Sequence, residues 1–388
     1  MARDRILTIV LAGGAGSRLE PLTDGRAKPA VPFGGTHRLI DFPLSNCLHS
    51  GLSDVFVIQQ THPESLTDHL ANGRPWDLDR TYGGLLVLHP RVGEKGGFHQ
   101  GTADALWRNS DLVREADPEA VVVVSADAPY RLDYRDLVLE HRDADLTVVT
   151  TEVDPADAGR YGVVQVSGGR VTDYAYKPDE PRGSLVANEV FAFRTGALLE
   201  ALDAAARELG EDAVEDGELA DLGDTVLPRL VAGGSVAERR MDGYWRDVGT
   251  LESYWEGHRD LLGESPELDL DRPDWQIRTH GAQRPPARLR PGSAVEDSLV
   301  SPGCVVHGTV TRSVLGPGVR VEAGATVVDS VVLGNAVVRA GATVRRAVLD
   351  EHTSVGPGAR VGTAEGLTVT GKGTTVPDHA VLEPEEKP

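Results

Sequence analysis

Gly13, Gly14 and Gly16 follow directly on an apolar run, Ile6–Leu11, and two cations, Arg18 and Lys28, stand shortly beyond them. Glycines at the end of a buried strand let the chain turn tightly and turn its N–H groups toward an anion. Arg18 and Lys28 add fixed positive charge near the same place. That set suits a polyphosphate, so a nucleotide site is the first expectation. No Gly-Lys-Ser/Thr follows, and Leu19 stands where a dinucleotide fingerprint needs a small residue, so neither of those phosphate-binding loops is present here. A second glycine-rich stretch, Gly366 to Gly373, has no hydroxyl after Lys372 and no strand-to-helix setting, and reads as a polar loop.

A strand must carry the glycine turn, and further strands must flank it. Apolar runs at Ile6–Leu11, Val55–Gln60, Val121–Ser125, Leu146–Thr151 and Val190–Phe193 are the candidates, and a helix is expected from about Thr102, with Leu106, Trp107 and Val113 on one face. This alternation predicts an α/β domain with a mostly parallel sheet, whose ligands gather at the carboxyl ends of the strands. The domain is expected over 1–255. Residues 256–290, with Arg272-Pro273 and Pro285-Pro286, read as a linker. From 291 to 388 apolar residues recur every sixth position: Leu315, Val321, Val327, Leu333; Val332, Val338, Val344; Leu349, Val355, Val361, Leu367. Pro-Gly turns punctuate them, and this period fits the hexapeptide coils of a parallel β-helix.

With 388 residues the chain has room for both domains, and its net charge of −21 disfavours nonspecific binding to nucleic acid or anionic lipid. An anionic substrate therefore needs locally placed Arg and Lys. The two cysteines, Cys47 and Cys304, read as core residues in a reducing compartment. No run is long and apolar enough for a signal or a membrane span, so a cytoplasmic protein is expected.

Several spaced motifs then coincide: Leu11–Leu19, Arg26–Val31, Phe33-Gly34-Gly35, Arg38–Phe42, Leu44–Cys47, Gly101–Ala105, Tyr244–Thr250 and Trp275–Arg278. On these the chain resembles the glucose-1-phosphate adenylyltransferases (ADP-glucose pyrophosphorylases) of bacterial glycogen synthesis. The resemblance implies a Rossmann-like nucleotidyltransferase domain followed by a left-handed parallel β-helix, a homotetramer or a hetero-oligomer with a paralogue, and synthesis of ADP-glucose from ATP and glucose-1-phosphate. The reaction needs in-line positioning and charge neutralisation rather than covalent help. On that chemistry Ala12, Gly13, Gly14, Gly16, Gln60, Gly101 and Thr102 are expected around the nucleotide. Arg18 and Lys28 are expected on the phosphates, and Gly162, Tyr176, Lys177 and Glu189 around the sugar phosphate. Asp127 and Asp247 match the family's two ligands for Mg²⁺, a hard cation that accepts one or two protein carboxylates.

The chain also departs from the family. Ala15 replaces a polar or charged residue, Ala126 and Ala128 flank Asp127, and Leu88-His89-Pro90-Arg91 replaces the base-contacting segment. Tyr176 stands where the family has a glutamate, Ala187-Asn188-Glu189 where it has Ser-Met-Gly, and Thr36 where known members carry an effector lysine. A changed sugar or nucleotide preference is one alternative; a non-catalytic regulatory subunit is the other.

Overall fold

In each apolar run of the first domain, alternate residues bury against opposite layers of helix, which is why the runs are nearly continuous rather than alternating. The computed structural model describes residues 5–14, 16–90, 97–140 and 142–384, with Glu211 and Glu215 known by their backbone alone. Ala15 and Arg91 lie outside the described residues.

Nine strands form the sheet: β1 (Ile6–Ala12), β2 (Asp54–Gln59), β3 (Gly84–Leu88), β4 (Ala120–Ser125), β5 (Leu146–Glu152), β6 (Gly162–Ser167), β7 (Arg170–Tyr176), β8 (Leu185–Arg194) and β9 (Val236–Arg240). Their order is β3-β2-β1-β4-β8-β5-β9-β7-β6. From β3 to β4 every pairing is parallel. Beyond β4 the sheet turns mixed: β8 runs antiparallel to β4, β5 and β6, and β7 runs antiparallel to β6 and β9. The mostly parallel expectation thus holds for one half only. In the other half the β6–β7 hairpin, closed by Gly168 and Gly169 at positive φ, supplies antiparallel partners.

Val10, Val55, Val57, Val122 and Val124 pack in one core, with Leu44 and Cys47 of α1 (Asp41–His49). Leu7, Ile9, Val121 and Val123 pack in the other, with Leu106 of α2 (Thr102–Arg108) and Leu198 and Leu202 of α3 (Thr195–Leu209). The expected helix from Thr102 is broken at Asn109, whose side-chain amide bonds the Ala105 carbonyl at 2.8 Å, and a second helix resumes at Ser110. Cys47 and Cys304 are buried and unbridged, and burial pushes the Cys47 thiol up to about 12. No helix among the described residues is long and apolar enough to cross a membrane.

Helix α4 (Leu222–Ala232) covers β7, and α5 (Leu251–Arg259) runs across residue 255 toward the second domain. There, three parallel sheets coil as a left-handed β-helix beginning at Arg288. Paired residues in its middle coils lie seventeen positions apart, as in Arg320 with Val337 and Thr326 with Thr343. The inward series Leu315, Val321, Val327, Val332, Val338, Val344, Leu349, Val355, Val361 therefore steps by six, six and five. This corrects the strict period of six. Leu333 and Leu367 leave the β-helix core and pack with Val331 and Val348 against Leu19, Phe33, Tyr254 and Trp255 of the first domain. Arg26 reinforces that contact, with Nη2 2.7 Å from each oxygen of Asp350, a pair almost wholly buried.

Candidate active site

β1 ends at Ala12 beside the ends of β2 and β4, and the chain turns there through Gly13 and Gly14. Gly16 has φ 70°, and a Cβ on it would lie 2.9 Å from the Cβ of Lys28, so glycine is needed to seat that lysine. Lys28 is itself buried, and its Nζ lies 2.8 Å from Asp127 Oδ2 and 3.7 Å from Asp247 Oδ1. One ammonium is thus bracketed by two carboxylates, the donor set that a divalent cation would use.

The charges in this cluster shift one another. Burial pulls the Lys28 ammonium down, but Asp127 and Asp247 outweigh it, so its pKa is raised. Burial pushes Asp127 up, yet Lys28 and a 2.5 Å bond from Ser125 Oγ hold it below the usual range. Asp247, farther from the lysine, is raised by burial, with Lys28, Arg160 and Arg18 opposing. Its Oδ2 accepts weak bonds from Arg160 and Tyr161, each 3.4 Å long.

Two adjoining cavities meet at this cluster. The first, about 310 Å³, is lined by Ala12, Gly13, Gly14, Lys28, Gln60 and Gly101. The second, about 230 Å³, is lined by Arg18, Gly162, Tyr176 and Lys177. Thr102, Asp127, Glu189 and Asp221 line both. The structure therefore brings together every residue expected from the sequence, with two qualifications. Gly16 and Asp247 line neither cavity, and both lie against Lys28. Arg18 is exposed and makes no hydrogen bond or ion pair with a described residue, which leaves it free to meet an anion.

Several local roles differ from expectation. The Gln60 amide holds the His99 backbone: Nε2 donates to the carbonyl at 3.1 Å and Oε1 accepts the N–H at 2.8 Å. Gln60 therefore fixes a loop of the first cavity and keeps one N–H for a ligand. Gly101 is required because a Cβ would fall 2.2 Å from the Ala220 carbonyl. Gly162 admits the Tyr174 ring, whose hydroxyl would be 2.3 Å from a Cβ.

Tyr176 does more than replace a glutamate. Its hydroxyl donates to Asp221 Oδ2 at 2.8 Å and accepts from Lys177 Nζ at 2.6 Å. Asp221 Oδ1 in turn accepts from the N–H and hydroxyl of Thr102, at 3.0 and 3.1 Å. Asp221 was not expected from the sequence; in the structure it stands at the N-cap position of α4. Its side chain does not cap that helix, because both oxygens tie the two cavities together. Glu189 is turned into the cleft by a bulge in β8 between Ala187 and Phe191, at φ 60°. The same bulge leaves the buried Asn188 amide without a partner.

Burial, then Asp127 and Asp247, push the Glu189 carboxyl up to about 7, against Lys28 and Lys177. Water reaches the residue through the cavity mouth and screens part of that repulsion. Between its ordinary 4.5 and 7 the folded chain holds a proton that the unfolded chain has released, so stability falls as pH rises through that window. Glu189→Gln removes this component. Thermal unfolding in EDTA across the window should show a flatter pH dependence for the variant, and parallel curves would refute the assignment.

Residues 7–264 match the nucleotidyl transferase family, and residues 285–376 match the GlmU-like C-terminal hexapeptide family. The chain is therefore a nucleotidyltransferase carrying a hexapeptide-repeat domain. It is 42% identical to the glucose-1-phosphate adenylyltransferase of Thermomicrobium roseum, over 96% of this chain and 90% of the relative. It is 35% identical to that of Acetivibrio thermocellus (97% and 91%) and 37% identical to that of Cutibacterium acnes (97% and 99%). The chain belongs to the glucose-1-phosphate adenylyltransferase family.

Proposed function

We propose that this protein is a Mg²⁺-dependent cytoplasmic enzyme that makes ADP-glucose and pyrophosphate from ATP and glucose-1-phosphate, for glycogen synthesis, as a homotetramer. The observation that carries the reading is the Lys28 ammonium bracketed by Asp127 and Asp247 beside the Gly13–Gly14 turn. In the proposed reaction a phosphate oxygen of the sugar phosphate attacks the α-phosphorus of the nucleotide. A new P–O bond forms, the bond from the α-phosphorus to the bridging oxygen breaks, and pyrophosphate takes that electron pair.

On this reading Gly13 and Gly14 donate N–H groups to the triphosphate, Gly16 seats Lys28, and Ala12, Gln60, Gly101 and Thr102 shape the nucleotide cavity. Lys28 neutralises the reacting phosphates and Arg18 the departing pyrophosphate. Asp127 and Asp247 hold the Mg²⁺, which offsets charge on the phosphate oxygens when bound. Lys177 clamps the sugar phosphate, while Gly162, Tyr176 and Glu189 face the sugar. The catalytic work falls to 1–255, with 256–290 as connection and 291–388 as the β-helix support. A different sugar-1-phosphate is the second reading, and it draws on Tyr176, whose hydroxyl is already engaged by Asp221 and Lys177.

ATP labelled at its α-phosphorus tests the proposal: with glucose-1-phosphate and Mg²⁺ the label should enter a nucleotide sugar. Label that stays in ATP would reject it. Lys177→Ala should raise the KM for the sugar phosphate about tenfold or more, as expected for a lost charge-assisted contact, and leave the nucleotide KM within about twofold. Equal changes in both would remove Lys177 from the sugar-phosphate clamp.

A further inference from the structure

A continuous chain of side-chain hydrogen bonds runs between the two cavities of the cleft. Thr102 and Asp221 line both, whereas Tyr176 and Lys177 line the second alone. Asp221 Oδ1 accepts from the hydroxyl and N–H of Thr102, and Oδ2 accepts from the Tyr176 hydroxyl. Burial and the Asp221 charge keep that phenol protonated, and its one proton points at Asp221. Toward Lys177 Nζ, 2.6 Å away, it can only accept. The ammonium also lies 4.4 Å from the Tyr176 ring centroid. Lys177 is otherwise exposed, and no other hydrogen bond or ion pair with a described residue holds its ammonium. The ring itself is fixed against Gly223 of α4, where a Cβ would stand 2.2 Å from Tyr176 Cδ2. That segment is stitched to the start of α2: the Ala220 carbonyl accepts from the N–H groups of Ala103 and Asp104, and the Thr102 hydroxyl accepts from Leu222 N–H.

We propose that Tyr176 is a positioning residue. Its hydroxyl holds Lys177 and ties it through Asp221 to Thr102, so that a nucleotide in the first cavity sets when Lys177 is free to meet the sugar phosphate. A long flexible side chain has many orientations open to it in water, and one bond to a fixed phenol selects among them. Two of the three ammonium N–H groups stay available for a phosphate. A carboxylate at this position, as in the family, would oppose Asp221; the phenol donates to it. A ligand that draws on the Thr102 hydroxyl takes it from Asp221 Oδ1, and the carboxylate that anchors Tyr176 loses its own anchor. The hold on Lys177 stands apart from any reaction; its consequence for the substrates rests on the activity proposed above.

Acetylation of lysines by sulfosuccinimidyl acetate, followed site by site with mass spectrometry, tests the hold. Tyr176→Phe keeps the ring against Gly223 and removes only the hydroxyl, so the variant should fold. Its Lys177 should react about threefold faster or more than in wild type, the scale of one lost hydrogen bond. The exposed Lys372 should react alike in both. Equal Lys177 rates would overturn the hold. Adding α,β-methylene ATP should speed Lys177 at least about twofold in wild type and leave Tyr176→Phe unchanged. The same change in both proteins would mean that nucleotide touches the lysine directly, and would overturn the coupling. Thr102→Val cuts the chain at its far end: Lys177 should react faster than in wild type, and the double variant should match Tyr176→Phe alone. Additive effects would contradict a single chain. The labelling is read with or without turnover, so a failed hold and a failed activity are told apart.

Discussion

Asp127→Asn lowers turnover by about 10³-fold or more while leaving the fold intact, because it removes one charge from the only pair of carboxylates proposed to hold the metal. The substitution keeps shape and volume, and the new amide can still meet Ser125 and Lys28, so the variant should fold, unfolding at a lower temperature than wild type because Lys28 loses its paired charge. Pyrophosphate release by purified variant and wild type under saturating substrates checks the loss. A variant within about tenfold of wild type would exclude Asp127 from the metal site, since lost electrostatic stabilisation is expected to cost more than that.

Lys28→Met is expected to be nearly as damaging to turnover, about 10²–10³-fold, and to do the opposite to metal binding. With Nζ 2.8 Å from Asp127 and 3.7 Å from Asp247, the ammonium occupies the place where a cation is drawn by both carboxylates. A metal held by the two carboxylates would displace that contact and leave the lysine to the phosphates. Without it, Mn²⁺ binds in the absence of substrates about tenfold more tightly, the equivalent of ~1.4 kcal/mol. A Mn²⁺ titration read by electron paramagnetic resonance decides this. Weaker binding in Lys28→Met would mean that the lysine supports the metal site instead of competing for it. The two variants thus separate a group that holds metal from one that substitutes for it.

What could be read from the sequence follows from where residues are buried. β1, β2, β4 and β5 have both faces covered, and their apolar runs announced them. β6 and β7 carry polar residues on an exposed face, and only the Gly168-Gly169 turn hinted at their hairpin. Leu333 shows a limit of periodicity: it fits a period of six, yet it serves the contact between domains, because a residue can be buried by a neighbour as well as by its own coil. In the cleft, Lys28 and Asp127 were legible from type and motif. Asp221 was not, because an aspartate before a helix ordinarily caps it, whereas here long-range bonds to Thr102 and Tyr176 claim both oxygens. The inward turn of Glu189 depends on a bulge in β8 that no local pattern announces.

Pyrophosphate release by the purified protein with Mg²⁺, across a panel of nucleoside triphosphates crossed with sugar-1-phosphates, tests the central claim most directly. Turnover should appear with ATP and glucose-1-phosphate and exceed that of every other pair. Folded protein that turns over no pair would contradict an enzymatic role and leave a regulatory subunit as the reading.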